Sequence, residues 1–162
     1  MTRRVLGIDP GTAVTGYGVV EPAPRRPGRL VECGVLRTRA TSTLPHRLQS
    51  LYAGVVELLA THRPDVVAVE TVFYGKNVRS SITLSHARGV ILLAAAEAGV
   101  TVAEFAPAVV KRVVVGRGRA TKAQVGYMVQ QLLRLERPPV PADAADGVAV
   151  ALTYLLSGTR TR

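Results

Sequence analysis

The segment Asp65-Val66-Val67-Ala68-Val69-Glu70 constrains this fold more than any other in the chain. It is apolar at odd and even positions alike and then stops on an acid. A strand with both faces apolar belongs inside a sheet that carries helices above and below. Val5-Leu6-Gly7-Ile8 has the same character, ends on Asp9, and is followed by the turn signal Pro10-Gly11-Thr12.

The remaining elements arrange themselves around these two. Gly16-Tyr17-Gly18-Val19-Val20 reads as a second strand, close enough in sequence to pair antiparallel with the first. Residues 30–37 give a third, making a meander. Between them Pro22, Pro24 and Pro27 leave too few backbone donors for a ladder, so residues 22–28 are expected to form a loop. Leu44, Leu48, Leu51, Val55, Leu58 and Leu59 then recur at helical spacing, with Thr43 as N-cap, Pro45 in the first turn and an end before Pro64. A second helix is expected from Ser80 or Ser81 to Ala98, stopped by Gly99. A strand at 100–105 and helices near 107–114, 121–135 and 143–156 complete the chain. This order predicts one α/β domain across residues 1–162, with a mixed central sheet, helices on both faces and a core over about 5–156. Cys33 stands alone, so no internal disulfide exists, and its strand-like flanks suggest a buried structural thiol. His86 is expected to pack within the second helix, His46 and His62 to lie at the surface.

Charge narrows the partner. Lys and Arg number 21 against 11 Asp and Glu, a net of +10, which favours a polyanion: nucleic acid or an anionic membrane surface. The longest apolar stretch, residues 89–96, is too short to span a bilayer, and the N-terminal apolar run is too short for a signal segment. A soluble, cytoplasmic protein with no membrane partner is expected. Lys111, Arg112, Arg117, Arg119 and Lys122 form an acid-free cluster interleaved with Val113-Val114-Val115, Gly116 and Gly118. This reads as a partly packed loop that presents charge to backbone phosphates. Arg79 is a further candidate contact, whereas Arg88 is equally suited to internal pairing. Phe73-Tyr74-Gly75-Lys76 follows Glu70 directly, and aromatics make up only 4% of the chain. Two in a glycine-containing loop beside an acid suit stacking on a nucleic-acid base.

Asp143 and Asp146 stand at i and i+3 on the last helix, hence on one face, and no other charge follows before Leu156. Acids at a helix start ordinarily serve its dipole, and a strand-end acid ordinarily caps a turn or pairs with arginine. Four such carboxylates from three elements, Asp9, Glu70, Asp143 and Asp146, could instead converge on one sheet edge. Their repulsion would then demand cations, and oxygen-only ligands select hard ions, Mg²⁺ or Mn²⁺. Two such ions about 4 Å apart can activate water and stabilise a leaving oxygen in phosphodiester hydrolysis.

Several blocks together resemble one family. Leu6-Gly7-Ile8-Asp9-Pro10-Gly11-Thr12 with Thr15-Gly16-Tyr17-Gly18-Val19 is similar to the opening of the RuvC family, bacterial Holliday-junction resolvases of the ribonuclease H-like superfamily. So are Val69-Glu70-Thr71-Val72-Phe73, Ala87-Arg88-Gly89-Val90, Val113-Val114-Val115-Gly116 with Lys122-Ala123-Gln124-Val125, and Asp143-Ala144-Ala145-Asp146. The blocks occur in the family's order over nearly the whole chain. The resemblance implies a ribonuclease H-like fold and a crossover junction endodeoxyribonuclease that places two symmetric nicks in DNA recombination and repair. It implies two Mg²⁺ per site, replaceable by Mn²⁺, on Asp9, Glu70, Asp143 and Asp146. It implies further that Phe73 wedges at the crossover, and that Lys111 and Lys122 contact the backbone near the scissile phosphate. A homodimer on a four-way junction, working beside a branch-migration motor of the RuvA and RuvB type, is expected. Thr71 departs from the family, where many members carry Gln. Three rivals remain. Another nuclease of the superfamily could cut RNA–DNA hybrids or act like a transposase. A non-catalytic junction-binding module would not need the four acids. The ATPase fold of actin and sugar kinases shares a loop like Asp9-Pro10-Gly11-Thr12 but needs two such domains.

Overall fold

The computed structural model describes residues 3–72 and 77–158. Strands β1 (Val5–Asp9), β2 (Val14–Ala23) and β3 (Arg26–Arg37) form the antiparallel meander, while β4 (Val66–Glu70) and β5 (Thr101–Phe105) add in parallel on the other side of β1. The sheet order is β3-β2-β1-β4-β5. Helix α1 (Leu44–His62) connects β3 to β4, and α2 (Val78–Glu97) connects β4 to β5. Helices α3 (Pro107–Val115), α4 (Lys122–Leu133) and α5 (Ala142–Leu156) follow. The mixed α/β architecture is the one that the sequence predicts.

Strand alternation sorts the core into two layers. Leu6, Ile8, Val19, Val67 and Val69 pack beneath Leu51 and Val55 of α1 and Ile91 and Ala95 of α2. Val5, Val20, Val66 and Ala68 point the other way, against Val110 of α3, Val129 of α4 and Val148 and Leu152 of α5. Each such aliphatic side chain contributes about 1.5–3 kcal/mol on burial, so both faces of β4 are needed.

Local chemistry sets the helix ends. Asn77 caps α2 by accepting the Ser80 N–H through Oδ1, so that helix starts earlier than its apolar spacing suggests. Gly99 takes φ of +67° just beyond its end. Thr121 and Gln124 form a reciprocal capping box on α4.

Four expectations need correction. Residues 22–28 are not a loop: β2 runs to Ala23, β3 starts at Arg26, and Pro24-Arg25 alone turn the hairpin, with Arg25 at φ of 60°. The prolines are tolerated because the ladder slips between Glu21 and Ala23, beyond the last β1 pairing at Val5–Val20, where missing donors cost little. His62 is buried, its Nε2 3.5 Å from Glu32 Oε1, an oxygen that also accepts the Tyr17 hydroxyl at 2.9 Å. His86 is exposed instead, one position off the buried row of Ala87, Ile91, Ala94 and Ala95. Cys33 is only half-buried, at the margin of the core.

Helix α5 rests on main chain rather than on side chains. A Cβ on Gly7 would stand 2.3 Å from the Gly147 carbonyl oxygen, and one on Gly147 would stand 2.4 Å from Tyr17 Cα. One on Gly16 would meet the Asp143 carbonyl oxygen at 1.8 Å, and one on Gly18 the Val148 Cγ2 at 2.4 Å. Real Cβ contacts are never so short, so these glycines are what let α5 lie flat on β1 and β2. No helix among the described residues is long and apolar enough to cross a membrane.

Candidate active site

Register brings the first two acids together. Ile8 of β1 pairs with Val69 of β4 in parallel, so Asp9 and Glu70, the next residue of each strand, emerge side by side at the carboxyl edge. That edge is where open α/β sheets bind ligands. Asp9 also faces Gly16 across the β1–β2 ladder, and the main chain of Asp143 sits directly over Gly16. The glycine seam thereby delivers the first turn of α5 to the same corner.

A cavity of about 140 Å³ opens there, bounded by Asp9, Glu70, Asp146, Lys111 and Lys122, with Val110, Val125 and Ala149 behind them. A larger groove of about 500 Å³ lies between the C-terminal ends of α1 and α2, but its lining is mostly apolar and gathers no acids beyond Glu97. The chemistry is in the smaller one.

Lys122, the first residue of α4, is aimed by the capping box. Its Nζ donates to Asp143 Oδ1 at 3.0 Å and lies 2.9 Å from Asp146 Oδ2. The second contact is close enough for an ion pair but lacks hydrogen-bond alignment, so Asp146 Oδ2 is a buried acceptor without a hydrogen bond. Both carboxylates push the ammonium pKa up. Burial, then the charge of Asp146, pushes Asp9 up to about 7, with Lys122 opposing. Burial, then Asp9 and Asp146, pushes Glu70 up to about 8, with Lys111 and Lys122 opposing. Asp146 is likewise raised by burial against the pull of Lys122. Three neighbouring carboxyls that resist ionisation mark a site short of positive charge.

The donor set suits a hard divalent cation: carboxylate oxygens only, one of them buried and held by an ion pair alone, with an ammonium already in a cation's place. Among the described residues no group of three or more acids is drawn into a ready-made metal cage. Mutual repulsion opposes such a cage while the Lys122 ammonium is, among the described residues, the one counter-charge paired with Asp143 and Asp146.

The other candidates divide. Lys111 lines the cavity, but Lys111 and Arg112 lie on α3, which continues through Val115; the expected loop is confined to residues 116–121. Its helical start follows from Pro107 in the first turn and its end from Gly116 at φ of +98°. Arg112, Arg117 and Arg119 are exposed and form no ion pair among the described residues. Arg79 is exposed in the first turn of α2, over a depression shared with Thr12 and Thr83. Arg88 pairs with Glu104 of β5, so it is occupied internally. Phe73, Tyr74 and Lys76 lie outside the described residues. The sequence reading missed the glycine seam. Its signal was present in Gly16 and Gly18 alternating within a strand and Gly147 inside a buried helix, positions where glycine costs stability unless backbones touch.

Comparison with known proteins agrees with this geometry. The family model for the crossover junction endodeoxyribonuclease RuvC matches residues 5–154. The chain is 49% identical over 150 residues to the crossover junction endodeoxyribonuclease RuvC of Pelotomaculum thermopropionicum, covering 93% of this chain and 91% of that one. Its structure superimposes on Thermus thermophilus RuvC in complex with a Holliday junction substrate with a TM-score of 0.88 and 36% identity, over 96% of this chain and 94% of that one. The uncomplexed Thermus thermophilus RuvC gives 0.84 and 37%, over 94% and 93%. A match that runs from β1 to the last turns of α5, and so takes in all four acids, shows that the chain belongs to the RuvC family of crossover junction endodeoxyribonucleases.

Proposed function

We propose that this protein is an endonuclease that resolves four-way DNA junctions by paired symmetric nicks in recombination and repair. The observation that carries the reading is the corner where Asp9 and Glu70, neighbours by strand register, face Asp146 and Lys122 across one cavity. Asp9, Glu70, Asp143 and Asp146 are the residues that would hold two Mg²⁺, or Mn²⁺ in their place. Bound there, the ions would supply a water of lowered pKa and neutralise charge on the departing 3′ oxygen.

The chain's own groups do the rest. The apolar wall of Val110, Val125 and Ala149 keeps bulk water back and strengthens every charge in the cavity. Lys122 and Lys111 set positive charge where the oxygens of the five-coordinate phosphorus gain negative charge in the transition state. Arg112, Arg117 and Arg119, together with Arg79, bind the sugar–phosphate backbone and set the register of the strand. Phe73, Tyr74 and Lys76, which follow Glu70 in the sequence, are the groups proposed to engage bases at the crossover.

Two nicks related by two-fold symmetry require two copies of the site. Helix α2 leaves Val78, Ile82 and Leu93 exposed, at 65%, 54% and 53%, and a Cβ on Gly89 would meet open space, so α2 offers the apolar face for a homodimer. The proposed setting is one nuclease domain acting in the cytoplasm beside a branch-migration motor of the RuvA and RuvB type.

The deciding experiment compares nicking of a synthetic four-way junction, a linear duplex and an RNA–DNA hybrid in Mg²⁺. The junction should be cut in preference to both others. Asp146→Asn should lower the rate about a hundredfold or more while junction binding persists. Preference for the hybrid would replace the reading with a ribonuclease, and unaltered cleavage by the Asn variant would remove the metal assignment.

A further inference from the structure

Lys122 is misplaced for stability alone. It is the first residue of α4, where the unpaired N–H groups make a positive pole, and cations are disfavoured there. Acids are the residues that suit a first turn, and α4 has none. The side chain is 63% exposed, so no packing requirement holds it inward. It nonetheless folds back into the acid corner, 3.0 Å from Asp143 Oδ1 and 2.9 Å from Asp146 Oδ2. The two carboxylates belong to one helical face, and the ammonium lies between them. Asp146 itself is only 14% exposed, and its Oδ2 has no hydrogen bond. Without Lys122 that buried oxygen would face Asp143, Asp9 and Glu70 with no cation among the described residues within ion-pairing distance.

We infer that Lys122 is a resident counter-ion which holds the acid corner together in the metal-free protein and must give up its place between Asp143 and Asp146 when a divalent cation enters. The inference rests on the metal-site reading above and adds a second role to the phosphate contact assigned to Lys122. An ammonium and a divalent cation cannot share the same two carboxylate oxygens. Metal entry therefore displaces the lysine, and the freed, flexible side chain turns outward to where a DNA backbone would lie. Loading of the site and presentation of this charge to the substrate become a single event. The site would also bind metal less tightly than four carboxylates otherwise would, since every ion entering must first displace a bound cation.

The test is calorimetric titration of the DNA-free, full-length protein with Mn²⁺, beside thermal melting in chelator. Lys122→Met should bind Mn²⁺ about tenfold or more tightly than the wild type, and should melt lower in chelator. Lys111→Met supplies the comparison, since Lys111 lines the same cavity without an ion pair to any acid among the described residues. It should tighten Mn²⁺ binding much less. Equal or weaker Mn²⁺ binding by Lys122→Met, with the wild type still binding, would overturn the counter-ion role and leave the metal site standing. An equal gain from both variants would also overturn it, because general charge rather than occupancy would then explain the effect. If neither the wild type nor any variant bound Mn²⁺, the metal site and this inference would fall together.

Discussion

Asp9 and Glu70 resist ionisation because the strand ends that carry them are buried, and because Asp146 presses on Asp9 while Asp9 and Asp146 press on Glu70. A carboxyl whose pKa is higher in the folded than in the unfolded chain binds more protons in the native state, so stability falls as pH rises between the two values. With Asp9 at about 7 and Glu70 at about 8, against ordinary values of 3.8 and 4.5, that window runs from about pH 4 to about pH 8. The metal-free protein should therefore lose melting temperature steadily across it, and Mg²⁺ should flatten the decline. Asp9→Asn, which removes one of the charges, should raise the melting temperature at pH 8 in chelator by several degrees, on the order of 2 kcal/mol, while abolishing nicking. A melting temperature that rises from pH 5 to pH 8 in chelator would contradict the burial argument. The acids themselves were legible in the sequence, since an acid at the end of a doubly apolar strand has few reasons to be there. Their protonation was not, because it depends on distances between elements far apart in the chain. His62 is buried against expectation for the same reason, since one partner, Glu32, lies 30 residues away on the edge strand β3, whereas His86 is exposed because it stands one position off the buried row of its own helix.

At the scale of elements, α5 decides whether the site exists. Its acids reach β1 only because Gly7, Gly16 and Gly18 offer bare backbone and Gly147 answers from the helix. Gly16→Ala would drive a methyl group against the Asp143 carbonyl, a contact of 1.8 Å that the main chain cannot absorb. It should destabilise the protein by roughly 3 kcal/mol or more and cut nicking more steeply than stability, because it lifts the acid-bearing turn first. Denaturant melts and nicking rates on the same preparation would separate the two; unchanged values of both would mean that α5 is not seated as described. Element identities were readable throughout, because helical and strand periods differ plainly and Gly99 stops α2 by ordinary chemistry, whereas the cap at Asn77, which starts α2 before Ser80, was missed. The hairpin at Pro24-Arg25 was not readable: three prolines argue against a ladder unless the ladder is known to be irregular at that point. In the cluster from Lys111 to Lys122 both the charge and the helix near 107–114 were readable; what was misjudged is how far the loop extends, since Lys111 and Arg112 belong to α3 and only residues 116–121 lie outside helix.

At the scale of the molecule, the net charge of +10 understates what a polyanion meets, since three of the 11 acids, Asp9, Glu70 and Asp146, are gathered around one cavity and a fourth, Asp143, is paired with Lys122 beside it. Binding to a four-way junction should weaken by about 10³–10⁵ between 50 and 200 mM salt if six to ten phosphates are contacted. Substituting Arg112, Arg117 and Arg119 together should lower the slope of log affinity against log salt by about 3 without altering which junctions are cut. An unchanged slope would place the DNA path elsewhere. The seating of α5 on bare backbone has one more consequence, for compressibility. Hydrostatic pressure acts on a folded protein chiefly by eliminating voids. A helix in main-chain contact with a sheet has almost none to lose, so the separation between strand-borne and helix-borne acids should stay constant under pressure while looser parts of the domain give way.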